Sequence, residues 1–484
     1  MSREIWSAVD LLSQNRKLTP VTTGHFVRIG PNTLSINSET ALKAIYGFKA
    51  NVRKSDFYLA FAAKGPQTLS THSSIDKHIH ARKRRIMSHG FSDQAIRSME
   101  HYINLEIDTF CRVIYDRTSA LVRPAYPQEE AEGWSPAKNM AKLCDWLAFD
   151  IMGNLVFGKA FDMLETPGQR FAADLVSSAA HRHNICGTYP PLYKTGLDKY
   201  LLGNIATNRA RYMQYSKEQM TQRTKQGLEI DRKDFFYHLL NAKDPETGNG
   251  FSAPELWGES NLLIIAGSDT TSTSLAATFF YLTHNPAALQ QATAEVRSTF
   301  ASPDDIVHGP KLTSCAYLRA CIDEAMRLSP PVGGALPRTV LAGGLVVDGA
   351  ALAAGTDVLV PHYALHHNAA CFPDPFAYRP ERWIAAAAPP DLAPFVDKAH
   401  AAFCAFSIGP RGCIGRGLAY VEMTTAIARC LFQYDLRLAP GTHLGEGGRW
   451  RKWEWGTERE GEYQTLDTFT SVKDGPAVQF KKVA

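Results

Sequence analysis

The chain has 484 residues, 45% of them apolar and 21% charged, with a formal net charge of +4 at pH 7. These are globular proportions that exclude a disordered, collagen-like or coiled-coil chain, and so small a charge gives no reason to expect a nucleic-acid binder. From the N-terminus, the run 26–36 (FVRIGPNTLSI) predicts strand, and the spacing of apolar residues predicts helices over 38–48, 92–120, 136–156 and 200–226. Ser252-Ala-Pro-Glu255 has the spacing of a capping box with Pro near a helix start. Pro286 closes that pattern, which leaves about 33 residues, or roughly 50 Å, of helix. A helix of that length should cross the whole molecule. Its centre, Ile264 to Ser274, is rich in hydroxyls, which are costly in an apolar setting unless satisfied, so it is expected to face something other than ordinary core. Further helices are predicted over 283–300, 313–328 and 414–434, and short strands at 344–348, 356–361, 432–438 and 476–481. Loops fall at 124–135, 187–192, 241–251, 386–394 and 439–448, and 450–463 reads as a surface hairpin.

The nine cysteines are odd in number and scattered, with no Cys-x-x-Cys pair. That is a poor disulfide framework and fits a reducing compartment. No run reaches the roughly 18 apolar residues of a membrane span, and the start lacks the apolar centre of a signal peptide.

The strongest chemical signal is Phe406-Ser-Ile-Gly409-Pro-Arg411-Gly-Cys413-Ile-Gly415. A cysteine lies between glycines just before an apolar helix. Glycines let backbone approach a bulky planar group, while loop N–H groups, a helix N-terminus and Arg411 would stabilise a thiolate. Together they suit a cysteinate ligand to an iron porphyrin. A lone cysteine in a glycine turn would ordinarily be a small buried hydrophobe. The full Phe-x-x-Gly-x-Arg-x-Cys-x-Gly spacing resembles the haem-binding signature of the cytochromes P450, the haem-thiolate monooxygenases.

Three more segments match that family in order. On the long helix, Ala266-Gly-Ser-Asp269-Thr270-Thr resembles the stretch where a small residue leaves room for dioxygen, a hydroxyl can hydrogen-bond it and a carboxylate can relay protons. Ala266 and Thr270 share a helix face; taken alone, the stretch is equally a satisfied hydroxyl patch. Glu324-x-x-Arg327 puts opposite charges on one helix face. By itself this could be a surface pair, though Ile322, Ala325, Met326 and Leu328 crowd it. The resemblance implies that both join Arg382, in Phe376-Ala-Tyr-Arg-Pro-Glu-Arg-Trp383, in a buried network that fixes the cysteine loop. A weaker match is His80-Ala-Arg-Lys-Arg84, where the family often has Trp-x-x-x-Arg on the haem propionates; a histidine can still donate there. Arg338 matches another propionate-binding arginine.

The resemblance covers about Val27 to Phe480, and His25-Phe-Val-Arg-Ile-Gly-Pro-Asn-Thr-Leu-Ser and Ala364-Leu-His-His-Asn also resemble filamentous-fungal members, which include benzoate hydroxylase-like and trichothecene hydroxylase-like enzymes. It implies a mainly α cytochrome P450 fold with a small β-rich lobe, one catalytic domain over 1–484, haem b between the long helix and Cys413, and Asp269 and Thr270 as proton donors. Cys413 is the expected metal ligand, with His80, Arg84, Ala266, Arg338, Phe406, Arg411 and Gly415 about the cofactor. The expected reaction inserts one oxygen from O2 into a hydrophobic small molecule such as a fungal secondary metabolite. Coupling, desaturation or rearrangement without net oxygen insertion is the alternative within the fold, and a haem carrier or sensor the alternative outside enzymes.

No phosphate-binding loop or dinucleotide fingerprint occurs, since Gly415-Arg-Gly417 continues Leu-Ala-Tyr. Electrons are therefore expected from a partner, an NADPH-cytochrome P450 reductase, which meets a basic face around Lys77, Arg82, Lys83 and Arg85. Neither His181/His183 nor His362/His366/His367 has a carboxylate or cysteine at a zinc spacing. Substrate walls are expected from 58–72, 181–200, 331–337 and Thr468-Phe469. Relatives of this type begin with a membrane helix and a Pro-rich hinge. Attachment to the cytosolic face of the endoplasmic reticulum through an anchor outside this chain is expected, with the chain itself soluble and monomeric.

Overall fold

A computed structural model describes residues 25–61, 70–116, 133–201, 203–226, 232–448 and 459–483. The helices of eight residues or more are α1 (Glu39–Tyr46), α2 (Lys77–Ser88), α3 (Asp93–Tyr115), α4 (Met140–Phe157), α5 (Phe171–Thr188), α6 (Gly203–Gln226), α7 (Ala253–His284), α8 (Pro286–Thr299), α9 (Ala316–Leu328) and α10 (Arg416–Gln433). The strands are β1 (Phe26–Gly30), β2 (Thr33–Ile36), β3 (Val52–Lys54), β4 (Lys138–Asn139), β5 (Arg338–Val340), β6 (Leu345–Val347), β7 (Ala350–Leu352), β8 (Asp357–Leu359), β9 (Tyr434–Leu438), β10 (Thr465–Thr468), β11 (Thr470–Lys473) and β12 (Ala477–Lys482).

The long helix forms as its sequence demands. The Ser252 N–H donates to the Glu255 carboxylate at 3.0 Å, closing the capping box, and α7 runs 32 residues before Pro286 opens α8. It packs along α4 and crosses a core shared with α3, α9 and α10, in which Ile103, Leu147, Phe279, Ile322 and Ile427 are fully buried. Most of its central hydroxyls are satisfied by the helix itself. Thr273 donates to the Asp269 carbonyl at 2.8 Å, and Thr278 to that of Ser274 at 2.7 Å. Only part of the hydroxyl-rich centre therefore faces something other than core.

A second, smaller core of Ile36, Leu42, Val358 and Phe372 backs a five-stranded sheet of order β1-β2-β8-β5-β3. A three-stranded sheet, β4-β12-β9, and the hairpins β6-β7 and β10-β11 complete the β structure.

Several sequence expectations need correction. The run 26–36 is a hairpin, β1 paired with β2, because Pro31 lacks the N–H a ladder requires. Helix α4 begins at Met140, since Lys138 and Asn139 pair with β12. The helix expected over 92–120 ends at Tyr115, with 117–120 outside the described residues. Helices α2 and α5 were not expected from apolar spacing. In α2 the buried positions include His80 and Lys83, so polar side chains occupy the inner face. In α5 Ala172, Leu175, Val176, Ala179 and Ala180 share the inner face at a helical spacing, and the helix reaches Thr188, into the expected 187–192 loop. Most of the proposed 450–463 hairpin lies outside the described residues.

Candidate active site

A cavity of about 350 Å3 lies between α7 and the loop that leads into α10. From α7 its wall takes Ala266, Gly267, Thr270, Thr271 and Ser274; from the loop it takes Phe406, Arg411, Gly412, Cys413 and Gly415. The loop is shaped by close backbone packing. Gly409 has a φ of +69°, and a Cβ there would sit 2.0 Å from the Tyr46 carbonyl oxygen. Glycine alone fits that position. The turn returns the Cys413 N–H to the Phe406 carbonyl at 2.8 Å. Phe406 is steadied by Tyr420, with ring centres 5.1 Å apart.

Of the nine cysteines, only Cys413 is exposed, and it is exposed to this cavity. Its deep setting pushes the thiol pKa up, while the N–H groups of Gly415 and Arg416 and the charges of Arg84 and Arg416 pull against that rise. These groups offset only part of the burial, so the thiol form prevails in the chain alone, and a cation at sulfur would favour the thiolate.

One edge of the cavity is basic. Arg84 donates to the Gly412 carbonyl at 2.8 Å, and Arg411 to the carbonyls of Ser74 at 2.7 Å and Ile75 at 3.1 Å. Arg338 donates to the Tyr58 hydroxyl at 3.1 Å and is not itself a wall residue. Lys54, which no sequence motif marked, lines the cavity and bonds the His72 carbonyl. Among the described residues, these cations find carbonyls and a phenol rather than carboxylates. Burial, with the repulsion of Arg338, lowers the Arg411 pKa to about 10 and that of Lys54 well below its usual value. Buried cations without anions are costly. The edge therefore suits a ligand with acidic groups here and an apolar body elsewhere. His80 also lines it, but burial and the same cations hold its pKa near about 3, so it stands neutral.

Glu324, Arg327 and Arg382 meet as the resemblance implied. Glu324 accepts from Arg327 Nε at 2.8 Å and from Arg382 Nε at 2.9 Å. The same carboxylate accepts from Trp383 Nε1 at 3.0 Å and from the Arg379 N–H at 3.0 Å. Burial would raise the Glu324 pKa, but the two guanidinium groups and their hydrogen bonds outweigh it, and the result lies below the ordinary value. Arg327 also donates to the carbonyls of His366, Pro375 and Ala377. His366 then accepts from the Cys404 N–H at 3.0 Å, so the network reaches the start of the cysteine loop. The parts played by Trp383 and His366 were not visible in the sequence, because each acts through a contact distant along the chain.

Thr270 faces the cavity and donates to the Ala266 carbonyl at 2.7 Å. Asp269 does not line the cavity; it is buried toward α4 and β11. The remaining wall is largely apolar. Phe61, His72, Leu336 and Phe469 come from the segments expected to hold substrate, whereas Val176, Ala179 and Ala180 on α5 and Tyr212 and Met213 on α6 were not expected. Residues 62–69 fall outside the described residues. No described helix is long and apolar enough to cross a membrane.

The family description "Cytochrome P450" matches residues 28–446. Cytochrome P450 monooxygenase AKT7 of Alternaria alternata is 38% identical over 460 residues, covering 95% of this chain and 86% of that protein. Cytochrome P450 monooxygenase atnE of Emericella nidulans is 38% identical over 466 residues, covering 95% of this chain and 85% of that protein. Among solved structures, the haem domain of cytochrome P450DA superposes with a TM-score of 0.71 over 93% of this chain and 88% of that one. At 18% identity that likeness speaks for the fold alone. Its mainly helical architecture, the cysteine facing the cavity under α7 and these relatives together mean that this chain belongs to the cytochrome P450 family and is an enzyme of the monooxygenase kind.

Proposed function

We propose that the protein binds haem b through Cys413 Sγ and inserts one atom of O2 into a hydrophobic small molecule, a fungal secondary metabolite. The carrying observation is that one cysteine in nine opens into the cavity, in a glycine-shaped loop opposite α7. The residues fit the group: Arg84, Arg338, Arg411 and Lys54 offer buried positive charge for two propionates, with His80 as a neutral donor beside them. When bound, haem supplies the redox chemistry that activates oxygen.

The chain's own residues supply the rest. Ala266 keeps the wall of α7 low over the cavity, and Thr270 can turn its hydroxyl from the helix carbonyl to donate into it. Asp269, next along the helix, holds a proton within reach of that face. The apolar wall from α5, α6 and Phe469 binds substrate and keeps bulk water out. The Glu324 network keeps the cysteine loop in place, as sulfur ligation requires. With no nucleotide-binding fingerprint in the sequence, the electrons come from a separate NADPH-dependent reductase. All of this lies in one catalytic domain. The setting proposed for that partner is the cytosolic face of the endoplasmic reticulum, as the family resemblance implies.

The test is purification of the haem-loaded protein, the spectrum of its reduced carbon-monoxide complex, and product mass after incubation with reductase, NADPH and candidate substrates. A thiolate-type spectral shift and a product heavier by one oxygen are expected. Folded, haem-containing protein without that shift overturns the assignment of Cys413.

A further inference from the structure

Four rings from four segments meet in the wall of the cavity: Phe61 from the turn after β3, His72 from the turn before α2, His183 from α5, and Phe469 from the tip of the β10–β11 hairpin. Phe61 stands at the centre, with ring centres 5.0 Å from His72, 4.8 Å from His183 and 4.7 Å from Phe469. The rings of Phe61, His72 and Phe469 are inclined to one another by 66°, 62° and 74°. Three rings set so steeply enclose a corner, and a guest entering it meets the face of one ring and the edges of the others.

The corner is held from several sides. Phe469 has a φ of +82°, a strained conformation for a bulky residue, and its N–H donates to Asp467 Oδ1 at 3.0 Å. Strain kept in a cavity wall points to a use for the ring it presents. The Thr71 N–H and hydroxyl donate to the buried carboxylate of Glu259 on α7 at 2.7 and 3.0 Å, which fixes the turn that carries His72. Phe57 backs Phe61 and Phe469, with ring centres 5.6 and 6.1 Å away, and packs so close to α5 that a Cβ on Gly187 would lie 2.5 Å from its ring. Charge then decides the guest. Aromatic corners of this shape also take cations, but here the field is positive. Lys54 bonds the His72 carbonyl and lies 4.0 Å over the ring of Tyr58, which itself packs on His72. Burial, with the charges of Lys54, His183, Arg338 and Arg411, holds the His72 pKa well below its usual value, so the imidazole is neutral. A neutral imidazole offers one donor and one acceptor. Among the described residues, the buried Nε2 of His72 finds no hydrogen-bond partner, which is costly until something bonds it.

We infer that Phe61, His72, His183 and Phe469 recognise a flat, conjugated part of the substrate, an aromatic ring or a polyene, that bears no positive charge and bonds His72 Nε2 through a hydroxyl or carbonyl at its edge. The conjugated plane stacks on one ring and meets the edges of its neighbours, contacts that a saturated group of the same size does not make. The inference rests on the proposed function only in taking that occupant as the molecule to be oxidised.

The test is equilibrium dialysis of the haem-loaded protein against four probes: 2-naphthol, its saturated analogue decahydro-2-naphthol, naphthalene and trimethyl(2-naphthyl)ammonium. In the wild type, 2-naphthol should bind at least about tenfold more tightly than decahydro-2-naphthol, and the ammonium more weakly than 2-naphthol. Phe469→Gly suits the positive φ, so the fold is kept while the ring is lost. It should bring that ratio below about threefold, with decahydro-2-naphthol bound as before, and Phe61→Leu gives a second, independent reading of the same loss. His72→Phe keeps a ring and removes the hydrogen bond, so it should weaken binding of 2-naphthol at least about fivefold and leave naphthalene unchanged. A smaller ratio in the wild type, a ratio unchanged in Phe469→Gly and Phe61→Leu, or tightest binding of the ammonium overturns the aromatic corner. Equal binding of 2-naphthol by wild type and His72→Phe overturns the hydrogen bond. Dialysis needs neither reductase nor turnover, and the reduced carbon-monoxide spectrum reports separately on the haem assignment, so failure of one is not failure of the other.

Discussion

Arg382 Nε lies 2.9 Å from Glu324 Oε1, although 58 residues separate the two along the chain, and neither side chain is more than 2% exposed. The contact ties α9 to the segment that ends at Trp383. Phe403, on the approach to the cysteine loop, packs on Trp383 with ring centres 5.0 Å apart.

Glu324→Gln leaves Arg327 and Arg382 buried with carbonyl partners only. Removing one member of a buried charge network costs about 3–5 kcal/mol. The expected outcome is a large fall in the urea midpoint of unfolding and loss of haem on gel filtration. A variant with wild-type stability and full haem content would show that the network does not hold the loop.

Gly409→Ala places a Cβ against the Tyr46 carbonyl at a positive φ. The backbone conformation alone costs about 1–3 kcal/mol in a residue with a side chain, and the clash adds to it. We expect folded protein with a displaced cysteine loop, seen as weakened haem retention. Gly441→Ala, whose positive φ meets open space, is the control and should keep its haem.

Thiol labelling tests the site without cofactor. In haem-free, folded protein, iodoacetamide should modify Cys413 first, because the other eight cysteines are buried. Haem loading should protect it, and Cys413→Ser should abolish the rapid modification. Rapid labelling at any other cysteine would contradict the packing described.

Stability should fall with acid through buried imidazoles. Burial lowers the His362 pKa to about 4, and it depresses His366 and His72 well below the ordinary 6.5. The unfolded chain then binds protons that the native state refuses. These imidazoles therefore lower the unfolding free energy as pH drops below about 6.5, for His362 down to about 4, while buried Glu422 and Asp150, with pKa values raised to about 8 and about 7, contribute in the opposite direction. Each such group contributes about 1.4 kcal/mol per pH unit inside its window. Urea titrations of the wild type and of His362→Gln at several pH values check this; the same slope in both between pH 6.5 and 4.5 would refute it.

Local order in this chain determined a good deal. The capping box at Ser252 and the stop at Pro286 fixed α7 nearly to its ends, because both are short-range hydrogen-bond and steric effects. The Phe406 to Gly415 spacing singled out Cys413 through its resemblance to the family signature, and within it Gly409 is required because its positive φ and the Tyr46 carbonyl leave no room for a Cβ. Tertiary structure alone decided the rest. Helix α2 buries His80 and Lys83, so apolar spacing does not reveal it, whereas the inner face of α5, Ala172, Leu175, Val176, Ala179 and Ala180, does carry a helical spacing in the sequence. Lys54, Trp383 and His366 enter the site through contacts across the fold that no local pattern records. The meeting of the Phe61, His72, His183 and Phe469 rings depends on how α5, the β10–β11 hairpin and the turns before α2 and after β3 pack, and a buried imidazole takes its meaning from the rings and cations that packing brings to it.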